Sequence, residues 1–179
     1  NGSIDPLMTF SVMGEEYPFF SRDELAAQMY KKKALFPTHE VFSKAKIQDI
    51  LTAEELEKAK VVEAQTLETK MYTVKNGVFE EIPLPTLVQS SPIQVISSLN
   101  TTGGYDLLLL GNQENARLKI GRIDTNPGWR LHKNPEGTWE IIDPNQTGLY
   151  LRSNVSSMVE IDGVIWIGVP NDGVYKYGY

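Results

Sequence analysis

Paired carboxylates are the first chemistry this chain offers. Any two of Glu80, Glu81, Asp124, Asp143, Glu160 and Asp162 facing one cleft would supply the acid and base of glycoside hydrolysis. Glu80 and Glu81 are neighbours on a strand and point to opposite faces, so they are no pair by themselves. Several of the others lie in or beside turns, where backbone hydrogen bonds account for them, and a solvated role is favoured. His39 and His132 are far apart, without a His-x-x-x-His spacing or an evident carboxylate partner, so neither a zinc site nor an acid–base histidine follows. Ser90-Ser91, Ser97-Ser98 and Ser156-Ser157 lack the Gly-x-Ser-x-Gly nucleophile elbow. Gly103-Gly104 leads into Tyr105-Asp106, which does not continue a phosphate loop.

Aromatic residues give the better binding chemistry. Trp129, Trp139, Trp166 and the row Tyr175, Tyr177 and Tyr179 are of the types that stack on sugar rings or fill a partner interface. Strand registers set the three tryptophans among aliphatic neighbours, as core residues would be, whereas the tyrosines near the chain end stay open. Arg122 and Asp124, two apart, share a strand face and can pair. With Asn112 these tyrosines and charges make up the candidate ligand or partner surface.

The elements that must position these groups change type along the chain. Residues 1–20 form an N-terminal segment, of which Asn1 to Leu7 reads as a non-native remnant ahead of Met8. Residues 21–66 are helical. Ser21 with Glu24, and Thr52 with Glu55, are capping-box pairs, and Thr38 caps a helix between them. The predicted inward stripes are Leu25, Ala26 and Met29, then Val41, Phe42 and Ala45, then Leu56, Ala59 and Val62. Each stripe is narrow, so the helices are expected to lie on another layer.

Residues 67–179 switch to a period of two. Asn76-Gly77 and Asp162-Gly163 predict tight hairpins. Asn134-Pro135-Glu136-Gly137 predicts a type I turn ending in a bulge, which puts Trp129 and Leu131 on one face with Trp139 and Ile141. The third hairpin sets Val159 and Ile161 against Val164 and Trp166. Short strands at this spacing indicate an antiparallel β protein, either propeller blades or a β-sandwich with packed helices, within one compact domain.

Composition narrows the classes. The 179 residues are 41% hydrophobic, enough for a real core. A net charge of −6 argues against nucleic acid as partner. There is no cysteine, so disulfides and thiol catalysis are excluded. No apolar run approaches the roughly 20 residues of a membrane span, and no secretory signal is visible.

The order of pieces from Pro83 to Gly128 resembles a late blade unit of the FG-GAP/VCBS repeat proteins, which are β-propellers. Tyr105-Asp106 leads into Leu107 to Leu110, and Gly111-Asn112 closes the run. Gly77-Val78-Phe79, Ile82-Pro83-Leu84-Pro85, Ser91-Pro92-Ile93 and Gly121-Arg122-Ile123-Asp124 are similar to successive family elements. Tyr17-Pro18 and Ser21 to Leu25 resemble a helical insertion before the final blades. The resemblance implies an incomplete propeller, either part of a larger one or a stand-alone descendant, located outside the cytoplasm. It also implies a calcium loop, in which Ser98, Asn100, Thr102 and Asp106 stand at the ligand positions. Only Asn100 and Asp106 are plausible ligands, and one carboxylate is too little charge for a tight site. The loop is therefore expected to close by local hydrogen bonds, with no cofactor.

The expectation is thus a mainly β protein with a helical insertion and incomplete propeller-like blades. It would serve as a non-catalytic recognition or structural module for protein or glycan. Open sheet edges would favour a homo-oligomer. A polysaccharide-active hydrolase is the alternative.

Overall fold

A computed structural model describes residues 4–179 and shows a mainly β protein with short helices, built from small antiparallel sheets, none of them closed. The chain divides into two compact units at Ala64/Gln65, where the sequence pattern predicted one compact domain. The physical reason is that the helices have a core of their own.

In the first unit, β1 (Thr9–Val12) and β2 (Glu15–Pro18) form a hairpin whose turn uses Met13 at φ 52° and Gly14 at φ 81°. Helix α1 (Arg22–Gln28) carries the expected capping box: Glu24 N–H donates to Ser21 Oγ at 3.2 Å, and Ser21 N–H to Glu24 Oε2 at 2.7 Å. Thr38 caps α2 (His39–Phe42), and Thr52 with Glu55 caps α4 (Ala53–Lys58). Helix α3 (Ile47–Ile50) lies between them, started by Lys46 N–H donating to Asp49 Oδ2. A 3₁₀ segment spans Tyr30–Leu35.

Leu25, Phe36, Phe42, Ala45 and Ile50 pack into one buried cluster, with Phe20, Met29 and Leu51 against it. Phe36 and Phe42 meet edge to face at 5.2 Å and supply the bulk that the narrow stripes lack. Helices α1, α2 and α3 therefore share one core, to which α4 adds no buried residue. Two stripes are shorter than predicted: Val41 is half exposed, and α4 stops at Lys58, leaving Ala59 and Val62 in solvent.

The second unit holds three layers of β structure. The first is the hairpin of β3 (Met71–Lys75) and β4 (Val78–Ile82), closed by Asn76 at φ 51° and Gly77 at φ 79° as the type I′ turn requires. The second is a four-stranded meander of β5 (Ile93–Thr101), β6 (Gly104–Gly111), β7 (Trp129–Lys133) and β8 (Trp139–Ile142). The third contains β9 (Ser157–Ile161), β10 (Val164–Val169) and β11 (Gly173–Gly178), with β10 central. A short helix, α5 (Pro144–Thr147), follows β8, capped by Asp143.

The centre of the meander is buried on both faces. Leu99, Leu108 and Leu110 pack against Ile165, Ile167, Val169 and Tyr177 of the third layer, with Leu149, Leu151 and Val155. The other face carries Leu109, Trp129, Leu131 and Trp139, and meets Val88 together with Met71, Ile82 and Leu84. Two-sided burial is why β6 reads as an unbroken run of leucines.

The predicted bulge between β7 and β8 is present. Leu131 pairs with Ile141, Asn134 and Thr138 exchange the closing hydrogen bond at 2.9 Å, and Gly137 takes φ 90°. Trp129 and Trp139 are buried as expected. Trp166 is not a core residue: the third sheet turns Ile165, Ile167 and Val169 inward, which leaves Trp166 outward, 39% exposed, under Lys176.

Candidate functional site: two grooves along the edge strand β8

Pairing of β6 with β7 brings Asp106 to two β7 side chains that lie far from it in sequence. Asp106 stands opposite His132, and Leu108 opposite Arg130, so the side chains of Asp106, Arg130 and His132 share one face. Asp106 is 1% exposed. Its Oδ2 accepts from Arg130 Nε at 2.6 Å, and its Oδ1 lies 2.7 Å from His132 Nδ1. Burial alone would lower the Arg130 pKa, but its bonds to Asp106 and Tyr177 outweigh that and raise it. The guanidinium also lies 5.8 Å from the centre of the Tyr179 ring.

This geometry corrects the implied calcium ligands. Thr101 pairs with Gly104, so β5 and β6 join through the two-residue turn Thr102-Gly103. Leu99 stands opposite Asp106 and Asn100 opposite Tyr105, which sends Asn100 and Asp106 to opposite faces of the hairpin. One ion cannot take both. The Asp106 carboxylate is instead the anion of a buried pair. Among the described residues, no group of three or more His, Cys, Asp or Glu is placed to hold a metal ion.

The remaining candidate residues separate into buried and exposed ones. Asn112 is fully buried and belongs to the fold. Its Oδ1 accepts from Ser91 Oγ at 2.6 Å and from Asn126 N–H at 3.0 Å, while its Nδ2 donates to Asn126 O at 2.8 Å. That network ties the loop between β6 and β7 to the end of β6. Tyr177 is also core, only 7% exposed, and its hydroxyl donates to Thr147 O at 3.0 Å. β11 pairs with β10 so that Tyr177 faces Ile165, and the shared face of the tyrosine row is the buried one.

Tyr175 and Tyr179 keep partial exposure at the sheet margins. Tyr175 donates to Asp172, which raises its pKa; burial and a bond to Glu160 raise that of Tyr179. Arg122 and Asp124 pair at 3.3 Å, as their spacing suggested, and Glu114 and Arg152 extend the network.

Two open grooves run along β8, one of the two edge strands of the meander. The first is lined by Leu87, Thr125, Pro127, Trp129, Ile141, Asp143, Pro144, Tyr150 and Arg152. The second lies on the opposite face and is lined by Thr101, Thr102, Asp106, Arg130, His132, Glu140, Ile142, Asp143 and Gln146 among others. Ile141 and Asp143 belong to both, so the two meet at the C-terminal end of β8.

The first groove has an apolar floor and an open ring, since Tyr150 is 70% exposed. The buried indole N–H groups of Trp129 and Trp139 find no hydrogen-bond acceptor among the described residues. Tyr150 and Arg152 were not singled out in the sequence, because nothing local marks a loop residue that only the fold brings beside Trp129. His132 was dismissed for want of a carboxylate, and only the β6–β7 register supplies one.

The six acids first considered for hydrolysis are largely engaged. Glu80 pairs with Lys75, Glu81 with Lys70 and Asp124 with two arginines. Glu160 takes the Tyr179 hydroxyl, and Asp143 caps α5.

Comparison with protein-family models, curated proteins and solved structures finds no match to this chain. Among the described residues, no helix is long and apolar enough to cross a membrane.

Proposed function

We propose that this chain is a non-catalytic recognition module with a propeller-like stack of blades, binding a protein or glycan ligand outside the cytoplasm. The blade reading is supported by the meander β5–β8, a four-stranded antiparallel sheet covered on both faces by neighbouring layers. The location rests on the family resemblance.

The observation that carries the binding reading is the pair of grooves meeting around Asp143, with the exposed Tyr150 ring over an apolar floor. The strongest charges nearby, Asp106 and Arg130, neutralise each other inside the fold and do not offer a free nucleophile or acid. Binding to a glycan array and to candidate surface proteins is the test. Blank results on both would overturn the recognition reading, and release of new reducing ends from a bound glycan would overturn the non-catalytic one.

A further inference from the structure

We infer that the groove between Tyr150 and Asp143 is a subsite for a neutral oligosaccharide. This rests on the recognition reading above and commits it to one ligand class and one place. A sugar ring presents an apolar C–H face and a rim of hydroxyls, so its site needs an open aromatic or apolar platform edged by hydrogen-bonding groups. Tyr150 supplies the open ring, and its hydroxyl makes no hydrogen bond among the described residues. Trp129 and Ile141 form the floor.

The edges are polar and partly free. Asp143 uses Oδ1 to accept from the Asn145 backbone and side chain, both at 2.8 Å, which leaves Oδ2 for a ligand hydroxyl. Arg152 is held at Nε by Asp124 O at 2.6 Å and paired with the Asp124 carboxylate, so its charge is already balanced. Charge then decides the class. An acidic sugar would meet the Asp143 carboxylate, the Glu140 carboxylate in the adjoining groove and a chain of net charge −6. Neutral sugars meet no such repulsion, and hydroxyl donors suit the open carboxylate oxygen.

The two grooves share Ile141 and Asp143, so a chain of sugars lying past Asp143 reaches Thr102, His132 and Gln146 on the other side of β8. A neutral oligosaccharide longer than two rings is therefore the expected form.

The test titrates the protein with cellopentaose, xylopentaose and mannopentaose, and with oligogalacturonate as the acidic probe, following tryptophan fluorescence and calorimetric heat. At least one neutral probe should bind, oligogalacturonate should not, and Tyr150→Ala should weaken binding by about tenfold. Asp143→Asn, which keeps an oxygen for the α5 cap, should weaken it severalfold. Tyr150 is exposed enough that its removal should leave near-ultraviolet dichroism unchanged. Trp166→Ala, on the outer face of the third sheet, should bind as the parent does. Preference for oligogalacturonate, or no neutral probe bound at millimolar concentration, overturns the inference. So does neutral binding that survives both groove substitutions, although the recognition reading then stands. Blank glycans alongside a bound surface protein would likewise sink the subsite and spare that reading.

Discussion

Replacing Arg130 with Met should be among the most damaging single changes in the β unit. The Asp106 carboxylate is 1% exposed and the Arg130 side chain 17%, with a 2.6 Å bond between them. Arg130→Met keeps most of the apolar stem and removes the charge, leaving a buried anion without its main partner. Such a loss costs about 3–5 kcal/mol. His132, half exposed, still hydrogen-bonds the other oxygen, which places the expected cost near the lower end, about 3 kcal/mol. In urea, with a slope of about 1.5–2 kcal/mol per molar for a unit of this size, the midpoint should fall by roughly 1.5–2 M.

All three tryptophans lie in this unit, so their fluorescence reports its unfolding alone. The double variant Asp106→Leu/Arg130→Met tests the cause. Asp106 shares its face with Leu108 and stands opposite Leu99, so an apolar pair there replaces two buried charges at little net cost. It should recover at least about 1 kcal/mol relative to Arg130→Met. A midpoint shift below about 0.5 M for the single variant, or a double variant no more stable than the single, would refute the argument.

Other perturbations probe separate parts of the molecule. At Gly111 a Cβ would lie 1.9 Å from Pro92 O and 2.8 Å from Gln94 N, both backbone, so Gly111→Ala should cost about 3 kcal/mol and lower Tm by roughly 10 °C or more. Asn112→Ala strips the Asn126 backbone N–H and carbonyl of their buried partner and should cost about 2–4 kcal/mol in urea unfolding. Glu55 is held near pKa 2, below the usual 4.5, chiefly by the Lys32 ammonium and next by the Thr52 N–H. A lowered folded pKa means its stabilisation is complete above about pH 4.5 and fades as pH falls toward 2; carboxyl NMR should show this titration, and Glu55→Gln should remove the part of the pH-dependent stability that falls in this window. Val159, Ile161, Trp166 and Val174 leave the outer face of the third sheet apolar and exposed, so the chain should self-associate in sedimentation, and Trp166→Lys should reduce it.

What was legible in the sequence was local. Asn76-Gly77, Asp162-Gly163 and the Asn134 to Gly137 turn each fixed a hairpin, because positive φ at defined positions admits few residues. The three side-chain caps at Ser21, Thr38 and Thr52 were readable for the same reason. The burial side of the third sheet was not. Val159, Ile161 and Trp166 on one face and Ile165, Ile167 and Tyr177 on the other are all apolar, so alternation gives no sign of which face turns inward. The same ambiguity hid Tyr177 among tyrosines expected at the surface. Asp106 lies 24 residues from Arg130 and 26 from His132, and only the β6–β7 register joins it to them.

The layer order also explains why the candidate site lies at an edge. The centre of the meander gives both faces to packing, so the side chains left for a ligand lie toward its ends and beside β8. The flanking layers are apolar on their outer sides, where Tyr72, Val74 and Phe79 of the hairpin and Trp166 with its neighbours are exposed. Such faces suit further β layers or a second copy, since a broad apolar surface offers little to hold a polar ligand in one orientation. Beside β8 an apolar floor, an open tyrosine and an unshared carboxylate oxygen come together. Assembly and recognition thus fall on different surfaces: Trp166→Lys should change association and leave sugar binding intact, and Tyr150→Ala should do the reverse.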